Sequence, residues 1–283
     1  MDIFSLANSN ITTNNTSKAD SFLNFHTAGW ILNLIVVLPE NSYVIWLIVT
    51  GAGNGVASEF FSLNLSVCEI FYCLQSFLSL LSRAFQNLWF VVVFLTGLAV
   101  TGRPLFQCLM CVERYLAVVH PVTFLKYKPL RYREICCTAV WIIILMSCVF
   151  PTFTFCFTSY SFHMFLFMCY YLCQALLTFS IMLFCCVAVL RALKQSGPGE
   201  RGREKENRMK RRAFNIIVTI IMAMLLVYAS FLLTGLSYFL THEYIVTHWC
   251  IGQILFLLGG LVQPLLYLHR TGKLPLCKAK KYF

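Results

Sequence analysis

Seven stretches of this chain stay apolar for about twenty residues or more, the length a helix needs to cross the hydrocarbon core of a bilayer. They cover 27–49, 60–81, 88–118, 135–157, 164–190, 214–240 and 249–268. Most charged residues fall in the connections between them and at the two ends of the chain. The pattern predicts an all-α fold, a seven-transmembrane helix bundle over 27–268. A polar tail at 1–26 precedes it and a basic tail at 269–283 follows it.

Composition agrees with a membrane protein. Hydrophobic residues make up 59% of the 283 residues and charged residues 12%, where a soluble domain holds about 45–50% and about 25%. Mean hydropathy is +0.75. The net charge of +11 does not point to nucleic acid, because the positive residues are clustered. All Lys and Arg except Lys18, Arg83 and Arg103 lie in 114–133, 191–212 and 270–281. Basic residues in short connections mark the cytoplasmic side of a multispanning protein. The tail at 1–26 lacks the basic start and apolar core of a cleavable signal. It carries sequons at Asn10, Asn14 and Asn15, so it is expected outside and glycosylated. A further match at Asn64 lies inside a span and is discounted. Seven crossings then put the basic tail inside, and the outer connections 158–163 and 241–248 carry almost no charge. Connection 194–212 reads as a flexible inner loop around Gly197-Pro198-Gly199,. The 14 cysteines sit mostly in apolar runs and read as small hydrophobes. Cys108 and Cys111 have a CxxC spacing without a second pair, so neither a metal nor a cofactor is expected.

Charges at membrane depth need partners. Glu69 falls midway along the second span and Arg103 near the middle of the third, and each costs at least ~2.5 kcal/mol if left alone there. Arg103 and Arg114 are eleven residues apart, about three turns at ~3.6 residues each, so both project from one face, directed away from lipid. A buried Glu69–Arg103 ion pair is the expectation; two separately hydrated groups in an internal cavity are the alternative. Pro104, Pro151 and Pro264 remove backbone donors inside the third, fourth and seventh spans and predict kinks, as does Pro39 in the first. The third span closes on Glu113-Arg114-Tyr115, followed by His120-Pro121.

Taken together these residues resemble the rhodopsin-like (class A) G-protein-coupled receptors, and the match runs the length of the chain. Leu38-Pro39-Glu40-Asn41 with Trp46 is similar to the family's first-span motif, and Leu63-Asn64-Leu65-Ser66-Val67-Cys68-Glu69 to its second, with Glu for Asp. Glu113-Arg114-Tyr115 resembles the Asp/Glu-Arg-Tyr close of the third span. Trp141 and Pro151 fit the fourth, and Gln263-Pro264-Leu265-Leu266-Tyr267 the Asn-Pro-x-x-Tyr of the seventh. The resemblance implies a plasma-membrane receptor that binds an extracellular ligand and engages a heterotrimeric G protein inside. Arg114 would be the switch, released from Glu113 as the sixth span swings out, and Tyr267 would support the active state. A simple interfacial anchor that snorkels to headgroups is the other role for Arg114. The resemblance also implies a short interfacial helix after the seventh span. There Cys277 is a palmitoylation candidate, or a plain surface thiol, among basic residues suited to the inner leaflet.

Departures from the family are informative. Trp89 stands where most members carry an outer cysteine, and 158–163 supplies no partner, so the usual extracellular disulfide is not expected. The fifth-span Pro and Tyr positions read as Thr178 and Cys186. The sixth span has no proline, its nearest match being Val227-Tyr228-Ala229-Ser230. Arg103 occupies the place that would face the family's sodium ion, and Gln263 replaces an Asn, so no sodium effect is expected. Thr96 stands where amine receptors hold an Asp, and no seventh-span Lys is present for retinal. Aromatic residues near the outer ends, with Arg83, Thr96, Trp89 and Tyr228 as ligand candidates, suit a lipid-like or small anionic ligand. Most of the aromatics serve equally as packing and belt residues. Three other classes compete. A transporter would show repeats between the halves, and none is found. An enzyme would need a cluster of reactive groups, but the six histidines lie near span ends. A receptor that does not couple, or needs a partner protein, is favoured by the missing sixth-span proline.

Overall fold

A computed structural model describes residues 24–51, 59–127, 130–157, 160–195, 228, 232, 235–236 and 246–271. The sequons Asn10, Asn14 and Asn15, and Cys277, lie outside the described residues. Among those described, every regular element is helical. Five helices are long and apolar enough to cross a membrane: Asn24–Val49, Phe60–Leu81, Trp89–Val119, Leu130–Thr154 and Phe165–Ala192. The fourth continues to Phe157, and the fifth extends over Tyr160–Gln195. The seventh, Val246–Thr271, carries a shorter apolar stretch, Ile251–Val262. Of the sixth span, Tyr228, Leu232, Gly235 and Leu236 are described, all helical.

Several helices overrun their apolar stretches because hydrogen bonding continues past the bilayer edge where polar residues favour helix. The fourth starts at Leu130, five residues before the apolar run expected from 135. The prolines behave in two ways. Pro104, Pro151 and Pro264 each lie inside an unbroken helix, which neighbouring spans support. Before Pro39, the first span widens into a π-helical turn at Asn33–Val37. A proline has no N–H to give its preceding turn and crowds the carbonyl four residues back, so the extra residue in the turn relieves it. The third span ends at His120, where the backbone leaves helix at φ −128° and ψ 65°. A short helix, Pro121–Tyr127, follows with proline at its first position,.

The third span is the hub, packing against the second, fourth and fifth. Its small residues permit this. A Cβ on Gly97 would lie 2.8 Å from the Ser147 carbonyl oxygen and 2.9 Å from the Cys148 Cα. The third and fourth spans therefore approach to backbone distance, as small residues allow in membranes. A core layer of Leu65, Cys68, Leu98, Phe106, Val140 and Ile144 fills the space between the second, third and fourth spans. Trp141 donates to Asn64 Oδ1 at 2.9 Å and meets the Phe106 ring at 5.7 Å. The opposite faces expose large apolar side chains such as Ile142, Met146, Leu177 and Phe184, as lipid-facing surfaces require.

Candidate functional site

The polar centre of the bundle is built on Glu69 and Arg103, each only 3% exposed. Arg103 meets the carboxylate edge-on: Nε donates to Glu69 Oε1 and Nη2 to Oε2, both at 2.5 Å. This fork-on-fork geometry is the strong form of the interaction. Nη1 donates to the backbone carbonyl of Phe256 on the seventh span. The guanidinium carbon also lies 3.6 Å from the Phe256 ring centroid and 5.5 Å from that of Tyr72, close enough for cation–π attraction. One side chain thus ties three spans together.

Gly260 makes room for it. A Cβ there would fall 2.9 Å from Arg103 Nη2 and 3.1 Å from Glu69 Oε2. Gly260 lies four residues after Phe256, on the same helix face, so any side chain at 260 would cover the carbonyl that Arg103 uses. Sequence reading named neither Phe256 nor Gly260, because an aromatic and a glycine in an apolar helix carry no signal of their own.

A second ionic group sits at the inner end. Glu113 accepts from Arg133 Nη2 at the start of the fourth span, and the Arg133 guanidinium lies 6.0 Å from the Phe61 ring. The family resemblance implies that Glu113 holds Arg114; the structure gives the Glu113 hydrogen bond to Arg133. Consecutive helical positions point about 100° apart, so the triplet fans out. Glu113 faces the fourth span and Arg114 is exposed. Tyr115 meets His120 Nε2 at 3.1 Å and the Phe184 ring at 5.8 Å. Arg103 and Arg114 share a face, yet only Arg103 is enclosed. Tyr267 is buried with Val44, Leu47, Ile48 and Leu268, against Leu63, and so is packed on the first and second spans.

The ligand candidates do not converge. Arg83 donates to Thr27 Oγ1 and lies 5.6 Å from the Trp30 ring, joining the outer ends of the first two spans. The Thr96 hydroxyl donates to the Val92 carbonyl of its own helix at 2.7 Å. Trp89 begins the third span and is half-buried. Tyr228, expected near an outer pocket, packs instead with Cys108, Cys111, Met182, Cys185 and Cys186. Those positions belong to the inner halves of the third and fifth spans, so Tyr228 lies inward of Arg103. Thr178 folds its hydroxyl back onto the Gln174 carbonyl at 2.9 Å.

A bundle with these elements and this inner triplet is that of a membrane receptor of the seven-span class. The family model described as "7 transmembrane receptor (rhodopsin family)" matches residues 40–267, and the chain belongs to that family. It is accordingly an all-α seven-transmembrane bundle and a multi-pass protein of the plasma membrane. The chain is 29% identical over 217 residues to chemokine XC receptor 1 of Mus musculus, covering 72% of this chain and 63% of the relative. It is 26% identical over 223 residues to C-C chemokine receptor type 8 of Homo sapiens, 71% and 59% covered. To the human uracil nucleotide/cysteinyl leukotriene receptor it is 25% identical over 125 residues, 42% and 34% covered. The chain spans less than two thirds of the length of these relatives.

Proposed function

We propose that this chain is a receptor that converts the binding of a small extracellular ligand into activation of a heterotrimeric G protein. The observation that carries this reading is the division of labour along the third span. Its middle is fastened to the second span by a buried ion pair and to the seventh by a hydrogen bond, while its inner end presents Arg114 to the cytoplasmic side. A two-state bundle needs both: a fixed axis and a terminal group whose contacts differ between states. In this reading Arg114 engages the G protein, Tyr115 and Tyr267 stabilise the arrangement around it, and Glu69–Arg103 stands as an internal charge pair where the family keeps a sodium ion. The guanidinium fills that place and repels a cation.

The relatives' printed names refer to chemokines, a uracil nucleotide and a cysteinyl leukotriene, so similarity selects no ligand. Arg83 is engaged with Thr27 and Trp30, which weighs against an anionic anchor at that point. A small ligand of apolar, lipid-like character is the version we retain. The test is agonist-independent nucleotide exchange on G proteins in membranes carrying the receptor, with Arg114→Ala beside it. Exchange that Arg114→Ala abolishes supports coupling. Equal, background exchange from both would favour the second reading, a receptor that does not couple by itself, which the fastening of the second, third and seventh spans around Arg103 favours.

A further inference from the structure

The inner ion pair does not join the residues the family motif pairs, and this has a consequence for the switch. We propose that Arg133 is a positioning residue for Arg114: by taking the hydrogen bond of Glu113 from the fourth span, it sets how strongly that carboxylate restrains Arg114. The inference rests on the coupling reading above.

Three observations support it. Glu113 accepts from Arg133, and both arginines lie close enough to act on it by charge, Arg133 more strongly than Arg114. Arg133 is itself fixed: it is 8% exposed and its guanidinium lies over the Phe61 ring. Glu59, a buried acid just before the second span, adds its charge to the same group. The Arg133 guanidinium both orients the Glu113 carboxylate and offsets its charge,, so the attraction left for a second arginine is weaker. Arg114 is then restrained less by Glu113 than in a bundle whose fourth span lacks this cation. The second, third and fourth spans enter the switch through one side chain. Any movement of the fourth span's inner end would change the restraint on Arg114.

The experiment measures agonist-independent nucleotide exchange, normalised to receptor amount, for the wild type, Arg133→Ala, Arg133→Lys, Glu113→Gln and the double variant Glu113→Gln/Arg133→Ala. Arg133→Ala should lower exchange about five-fold or more, the lower range of typical coupling between sites, because Glu113 turns to Arg114. Arg133→Lys should retain most of it. In the Glu113→Gln background, Arg133→Ala should leave exchange where Glu113→Gln alone sets it. A residue that merely supports folding would lower exchange in both backgrounds, and that result overturns the proposal. Melting of the same purified variants forms a double-mutant cycle independent of signalling. Non-additive melting is expected, and additive melting overturns the Glu113–Arg133 contact. A wild type without exchange, but with non-additive melting, defeats the coupling reading and the switch role while keeping the contact.

Discussion

Arg103 can be buried in this bundle because its guanidinium meets a bidentate carboxylate and a backbone carbonyl and lies within cation–π reach of two rings,. Removing one partner should therefore be severe. Glu69→Gln leaves a charge without its counter-ion and is expected to cost about 3–5 kcal/mol, whereas replacing both residues by apolar ones of similar volume should cost far less. Melting of the detergent-solubilised single and double variants reads this directly. Two near-equal, additive losses would mean the residues act separately. The glycine beneath the pair gives a sharper comparison. Gly260→Ala must displace Arg103 or Glu69, with contacts of 2.9 and 3.1 Å, and should lower the melting temperature markedly. Gly29→Ala meets only Gln253 at 3.5 Å and Leu257 at 3.7 Å, ordinary contacts. It should be neutral or stabilise by up to ~1 kcal/mol through helix propensity. The ion pair was legible in the sequence, since two opposite charges in adjacent apolar spans have few other partners. Gly260 and the Phe256 carbonyl were not, because a backbone acceptor has no residue code.

At the scale of elements, the third span does most of the joining, and its glycines mark where. The two nearest neighbours of a Cβ on Gly97 are backbone atoms of the fourth span, at 2.8 and 2.9 Å, followed by the Tyr171 hydroxyl at 3.0 Å. Gly97→Ala should therefore push two helices apart and destabilise by about 1–3 kcal/mol, seen as a lower melting temperature. Recovery of full stability by the alanine variant would place the close approach elsewhere. Among the described residues, helices overlap six of the seven apolar runs but most extend beyond their ends, through polar residues that hydropathy ignores. Arg133 belongs to this category. In the sequence it is one of several basic residues in an inner connection, indistinguishable from Lys126 or Arg131. Only the register of the fourth helix, begun at Leu130, brings it to Glu113. Tyr228 was misplaced for a related reason. Aligning the sixth span by motif says nothing about its depth against the third, which is set by packing with Cys108 and Cys111.

For the whole molecule, the seven-span bundle was readable because bilayer length is a coarse, cumulative signal, and the family because motifs in five spans stand in the family's order. The switch geometry was not, because it depends on which of several arginines meets one carboxylate. The structure places two ionic groups on one helix: a central one that fastens the second, third and seventh spans, and an inner one that bonds Glu113 to Arg133, with Arg114 beside it in sequence. In the proposed function the central pair is a permanent replacement for an exchangeable ion, so signalling should be indifferent to sodium. The most direct measurement is agonist-independent nucleotide exchange in membranes carrying the wild type and Arg114→Ala, with sodium present or replaced by N-methylglucamine. The account predicts exchange that requires Arg114 and is the same in both salts. A sodium-dependent rate, or exchange indifferent to Arg114→Ala, would contradict it.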